Sequence, residues 1–325
     1  MADRMRVALG QLRELSEHDL LFAKQLGLQD VQLNLLGGGA LPGDKRWEFR
    51  DLLLLRKRAE DYGLRLAAIE NVPTSFYDKA MLGLPGRDEQ IENYQAIIRN
   101  MGKAGIPILG FHWIPNSVWR SSQTTEDRGG ARVTSFDYEL MKDAPLTHGR
   151  VFTEDEMWAN FAYFAKAVMP VAEEAGVKLA LHPDDPPVPT LGGIARIMRS
   201  FDGFKRAVET ADSPAFGLDF CQGCWSEMGP GVLEAIRYFG SRGKILYVHF
   251  RDVKGHVPKL EETFVNTGNV NMFEAMKAYK EVGFTGFFLD DHVPQIVGDT
   301  PWGHRSRAYA IGYIQALIET VYQIG

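Results

Sequence analysis

The stretch Val177–Pro187, VKLALHPDDPP, decides the fold: a near-continuous apolar run stops abruptly at a histidine inside a proline-stiffened turn. A strand that is apolar at nearly every position, rather than at every second one, is buried on both faces, as in a parallel sheet covered by helices. Seven other segments share this character. Arg6–Gly10, Val31–Leu35, Leu64–Ile69 and Ile106–Phe111 precede it, and Ala215–Phe220, Ile245–Phe250 and Gly286–Leu289 follow it. Helical periods lie between them. Ile91, Tyr94, Ile98 and Met101 share one face, and Thr153 with Glu156 forms a capping box before Met157, Phe161, Phe164 and Val168. An amphipathic stretch from Arg307 to Ile324 closes the chain. Eight strands alternating with helices predict an α/β fold, a (β/α)8 TIM barrel forming one domain over residues 1–325. A doubly wound sheet is the competitor. It requires a glycine-rich first turn, which VALGQLREL (residues 7–15) lacks.

One connection interrupts the alternation. Residues 115–152, after the fourth strand, are polar and turn-rich and carry Arg120, Arg128 and Arg132. They are expected to be a long unstructured insertion, a lid at the barrel mouth.

Composition narrows the function. With 325 residues, 45% hydrophobic and 24% charged, the chain has the balance of a globular protein. Its 36 basic and 42 acidic residues give a net charge of −6, and no run of like charge stands out. Nucleic acid and anionic membrane surfaces are therefore not expected partners. The start MADRMRVALGQ lacks a signal-peptide pattern, no apolar run reaches membrane-spanning length, and there are only two cysteines, Cys221 and Cys224. The expected location is the cytoplasm. The oligomeric state, including a homo-oligomer, stays open.

In this fold chemistry sits at the carboxyl ends of the strands. The runs end at Gln11, Asn34, Glu70 with Asn71, His112 with Trp113, His182, Asp219 with Cys221, His249 with Arg251, and Asp290 with Asp291 and His292. Two imidazoles, a thiol and a carboxylate on four consecutive strands, His182, Cys221, His249 and Asp291, form a donor set for a divalent transition metal. Zn, Fe, Co and Mn suit it better than Ca or Mg. Asn34, Glu70 and His112 are candidate substrate contacts at neighbouring strand ends. Asp184, in the stiff turn, is a candidate substrate contact or support for the ligands. Cys221 and Cys224 also spell C-x-x-C, a spacing shared by redox and zinc-knuckle motifs, but no second pair supports it.

With HPDDPP in view, the chain resembles the mannonate dehydratase family of the xylose-isomerase-like barrels. IENYQAIIRNMGKAGI (91–106), VWRSSQ (118–123), RGGARVTSFD (128–137), DFCQG (219–223), YVHFRDV (247–253), GNVNMFEAM (268–276) and LDDH (289–292) carry the resemblance, which extends from Met5 to Thr320. It implies a hydro-lyase that converts D-mannonate to 2-keto-3-deoxy-D-gluconate with Mn or a similar divalent ion. It also implies the same four ligands, with His292 as an acid/base group. His304 is a second acid/base candidate, and Arg120 and Arg251 are expected to clamp the substrate carboxylate. The sequence departs from the family pattern at the mouth. Leu289–Asp290 stands where Arg–Pro is usual, CQGCWSEMG (221–229) replaces Cys-Thr-Gly-Ser, and a family tyrosine is missing near Trp302, His304 and Arg305. The alternative on the same scaffold is a metal-dependent sugar isomerase or epimerase. A sugar-acid-binding barrel without catalysis is a third reading. The arginine-rich insertion, suited to an acid substrate, favours dehydration.

Overall fold

A computed structural model describes residues 4–324. Eight parallel strands close into a barrel: β1 (Arg6–Leu12), β2 (Asp30–Asn34), β3 (Arg65–Glu70), β4 (Ile108–His112), β5 (Lys178–His182), β6 (Phe216–Cys221), β7 (Ile245–His249) and β8 (Phe287–Leu289). Each pairs with its neighbours in sequence, and β8 closes onto β1. Each of the eight apolar runs identified in the sequence overlaps one of these strands, with ends that differ by no more than two residues, and the TIM-barrel expectation is met. Among the described residues no helix is long and apolar enough to cross a membrane.

The outer helices follow the expected stripes. Arg87–Ala104 buries Ile91, Tyr94, Ile98 and Met101, and Glu154–Ala175 starts with the Thr153/Glu156 capping box and buries Met157, Phe161, Phe164 and Val168. The closing helix, His304–Gln323, begins three residues before the expected Arg307.

Register matters most for the site. His112 pairs level with His182, Cys221 with His249, and His249 with Leu289. Parallel neighbours in register deliver their last side chains to one height, so the strand ends form a common floor. Three residues at that height adopt left-handed backbone, Gln11 (φ 60), Asn71 (φ 61) and Asp291 (φ 55). Such conformations are unfavourable for residues other than glycine and concentrate at functional sites.

The segment 115–152 corrects one expectation. It is not unstructured: Ser122–Glu126 and Arg132–Asp137 form a hairpin, extended by Val253–His256 and Lys259–Glu262 into a four-stranded antiparallel sheet. Phe136, Val253 and Leu260 bury against Val188 and Leu191 in a small core of their own. Arg132 also bridges to Gln295, which fastens the hairpin to the loop after β8. The polar reading failed because a sheet solvated on one face needs few apolar residues, and these strands find their partners more than a hundred residues away.

Candidate metal centre and substrate cavity

His182, Cys221, His249 and Asp291 converge at the floor. Cys221, His249 and Asp291 each place a donor within 4.8 Å of the others, and His182 stands in the same relation to Cys221 and Cys224. The rings of His182 and His249 are 5.3 Å apart, and Asp291 Oδ2 lies 3.4 Å from His249 Nδ1 and 3.9 Å from Cys221 Sγ.

The surrounding groups orient these donors. His249 Nε2 lies 2.8 Å from Glu70 Oε2 and 3.3 Å from Asp219, and its buried Nδ1 has only the Asp291 carboxylate nearby, at 3.4 Å. Burial opposes a charged ring, but these three carboxylates outweigh it and hold its pKa above the ordinary imidazole value. His182 Nδ1 lies 2.7 Å from the Pro183 carbonyl oxygen and carries a proton. Burial opposes a second one, but Cys221 and Asp219 outweigh it and push the imidazole pKa up to about 10, so Nε2 would become a metal donor by giving up that proton. An imidazole tied by one nitrogen to a carboxylate or carbonyl, with its other nitrogen free, is the usual arrangement of a metal-binding histidine. Burial pushes the Cys221 thiol up, but Cys224, Arg251 and His182 outweigh it and favour thiolate. Burial likewise opposes ionisation of Asp291. His292, His249 and Arg251 overcome it and hold the carboxyl well below the usual carboxylate range. A thiol biased toward thiolate, a carboxylate biased toward its ionised form and a buried imidazole nitrogen beside them fit a divalent cation.

Arg251 underlies the cluster. It donates through Nε to Asp291 (2.8 Å), through Nη1 to Glu227 (3.2 Å) and Glu262 (3.3 Å), and through Nη2 to Asp185 (3.2 Å) and Cys224 (3.3 Å). Arg120 donates through Nη2 to Asp185 (2.8 Å) and Glu262 (2.9 Å), and through Nε to Thr134 (3.1 Å). Both guanidiniums are therefore committed to protein acids, which is at odds with the expected carboxylate clamp. Asp184 departs from expectation too. It is fully buried away from the cavity, accepting from the Met198 backbone N–H at 2.6 Å beside Arg196, while its neighbour Asp185 faces the site. In this turn only one of the two adjacent acids faces inward, and the sequence does not reveal which.

Asn34 and His112 line the inner cavity. Glu70 borders it as well, but its carboxylate is occupied by Gln32 (2.6 Å), Asn34 (3.1 Å) and His249. It acts on the donor cluster rather than facing outward. His112 Nδ1 accepts from the Ile114 backbone N–H at 3.1 Å, and burial presses its pKa down to about 3. The ring is therefore neutral, with its proton on Nε2, which has no partner among the described residues.

His292 stands at the rim, its Nδ1 2.9 Å from Glu262 Oε1. Glu262 enters from the strand Lys259–Glu262, and no sequence signal marks it: KLEE reads as an ordinary exposed turn strand. His304 is not part of the site. Its Nε2 faces Asp19 at 3.3 Å and its Nδ1 faces Thr300 Oγ1 at 2.6 Å, outside the barrel mouth. Nearness to His292 in sequence misled, because the loop Val293–Gly303, which borders the outer chamber, separates the two before the closing helix begins.

Two chambers meet at Asp291 and His292. The inner one, about 130 Å³, is bounded by Gln11, Asn34, Glu70, His112 and His182. The outer one, about 840 Å³, lies beneath the four-stranded sheet and the β8 loop, between Arg120, Arg132, Glu262, Trp302 and Arg307. Together they have room for a small polar molecule next to the donors.

The comparisons with known proteins agree with this architecture. The family model for D-mannonate dehydratase (UxuA) matches residues 27–150 and 146–324. Mannonate dehydratase 2 of Halalkalibacterium halodurans is 31% identical over 327 residues, covering 91% of this chain and 92% of its own. Mannonate dehydratase of Thermotoga maritima is 30% identical over 323 residues, covering 86% and 88%. The crystal structure of mannonate dehydratase from Streptococcus suis serotype 2 superposes with a TM-score of 0.90 at 28% identity, over 99% of this chain and 95% of that one. A D-tagatose 3-epimerase-like protein, at 15% identity and a TM-score of 0.66, shares the fold. The chain belongs to the mannonate dehydratase family of hydro-lyases.

Proposed function

We propose that this enzyme dehydrates D-mannonate to 2-keto-3-deoxy-D-gluconate, with His182, Cys221, His249 and Asp291 holding a divalent cation, Mn in preference to Fe, Co or Zn. The observation that carries the reading is the buried His249 Nδ1 beside a thiol biased toward thiolate and a carboxylate at the floor of a polar cavity. When bound, the cation supplies Lewis acidity toward substrate oxygens and stabilises negative charge near C2.

This chain's residues supply the rest. Glu262 holds a proton on His292 Nδ1, which leaves Nε2 as the base for the C2 proton. The same imidazole can return that proton to the departing C3 hydroxyl, so one group balances the loss of water. The neutral His112 donates from Nε2 to a substrate hydroxyl in the inner chamber. Of the arginines lining the outer chamber, Arg120 and Arg307 are engaged with Asp185, Glu262 and Asp290. Arg132 has no side-chain partner among the described residues, and we assign it the substrate carboxylate in place of Arg120 and Arg251. A thiolate ligand that must stay reduced fits the cytoplasm.

The test is incubation of Mn-loaded protein with D-mannonate and assay for the 2-keto-3-deoxy acid. Absence of product, with turnover of a neutral ketose instead, overturns dehydration in favour of the isomerase reading.

A further inference from the structure

His304, displaced from the catalytic site, belongs to another cluster. His18 and Asp19 open the helix Glu17–Gln25, and His304 opens the helix His304–Gln323, so the first and last helices meet here. One donor atom from each of the three residues lies within 4.8 Å of the others. Asp19 Oδ1 is 3.3 Å from His18 Nδ1 and 3.3 Å from His304 Nε2. The imidazole rings are 4.7 Å apart, edge to face.

Both contacts lie at the long end of the hydrogen-bond range, whose N···O separation centres near about 2.9 Å. They match the edge of a coordination tetrahedron, which is about 3.3–3.4 Å for metal–nitrogen bonds of about 2.0–2.1 Å. The donors are also pre-oriented. Thr300 Oγ1 holds His304 Nδ1 at 2.6 Å and turns Nε2 inward, and Ser16 Oγ donates to Asp19 Oδ2 at 2.6 Å, leaving Oδ1 to the imidazoles. Asp19 and His304 are each 19% exposed and His18 is 72% exposed, so the donors are partly shielded on one side and open to solvent on the other.

We propose that His18, Asp19 and His304 form a second, surface site for an imidazole-preferring divalent ion such as Zn²⁺, separate from the buried cluster. Two imidazoles and one carboxylate with an open position suit Zn, Ni or Cu, and two neutral nitrogens make the site weaker than one built on a thiolate. Its occupant clasps the first helix to the last where the chain closes the barrel. It also braces Trp302, whose ring lies 4.7 Å from that of His304 and which lines the outer chamber.

Calorimetric titration of metal-free protein with Zn²⁺, alongside elemental analysis, tests this. Wild type should show two binding events, and His18→Ala should weaken the lower-affinity one at least tenfold while leaving the tighter one in place. Cys221→Ala should do the reverse. His18 is exposed, so its replacement leaves the fold intact. Zn²⁺ at concentrations that fill the weaker site should raise the wild-type Tm more than that of His18→Ala. Superimposable titrations of wild type and His18→Ala overturn the proposal, as does a single equivalent lost entirely in Cys221→Ala. Neither readout depends on D-mannonate turnover, so failure of the dehydratase reading leaves this test standing.

Discussion

The two donor clusters differ in how they are held. At the floor, Cys221, His249 and Asp291 are essentially buried, each supported by a further buried group: Cys224, Glu70 or Arg251. At the rim, His18, Asp19 and His304 rest on two hydroxyls, those of Ser16 and Thr300, and meet water on one side. Burial raises the stakes of every charge, because removing one member strands its partners in a medium that solvates them poorly. The same substitution at the rim lets water replace the missing partner. The floor is suited to hold reactive charge in place, the rim to bind an ion reversibly.

Breaking the floor should therefore cost most. Arg251→Met removes the one guanidinium shared by Asp185, Glu227, Glu262 and Asp291, leaving Arg120, His249 and His292 as the remaining basic neighbours, and denaturant unfolding should register a loss of about 3–5 kcal/mol. Cys221→Ala should keep the fold but lower kcat by roughly 10³-fold, the equivalent of about 4 kcal/mol of Lewis-acid stabilisation, with metal content falling in parallel. Glu70→Gln changes no ligand and should weaken cation affinity by about 10–100-fold, because His249 loses the group that fixes its tautomer. Arg132→Ala should raise KM for the sugar acid by roughly 10–100-fold with kcat little changed, and should leave inhibition by a neutral sugar alcohol unaltered. His18→Ala should move metal-free stability by no more than about 0.5 kcal/mol. A loss at the rim as large as that at the floor would end the distinction between the two clusters.

The floor was legible from sequence because each barrel strand announces its own end, and parallel pairing brings those ends to one height. His182, Cys221, His249 and Asp291 could be named without knowing any contact between them. The mouth was not legible in the same way. Glu262 and Arg132 reach the cavity through a sheet that joins Ser122–Asp137 to Val253–Glu262, a pairing no local pattern encodes. Asp185 was hidden behind Asp184 in one turn, and the arginines read as substrate clamps proved to be engaged with Asp185 and Glu262.

By itself the sequence determined the barrel, its family and which four strand-end side chains converge, His182, Cys221, His249 and Asp291, since hydrophobic period and strand-end position are local properties that survive translation into space. Only the tertiary structure decided which neighbours orient those donors, which arginine is free and where His304 goes. Those outcomes depend on long-range packing, where one residue's choice of partner is set by what every other segment has already occupied.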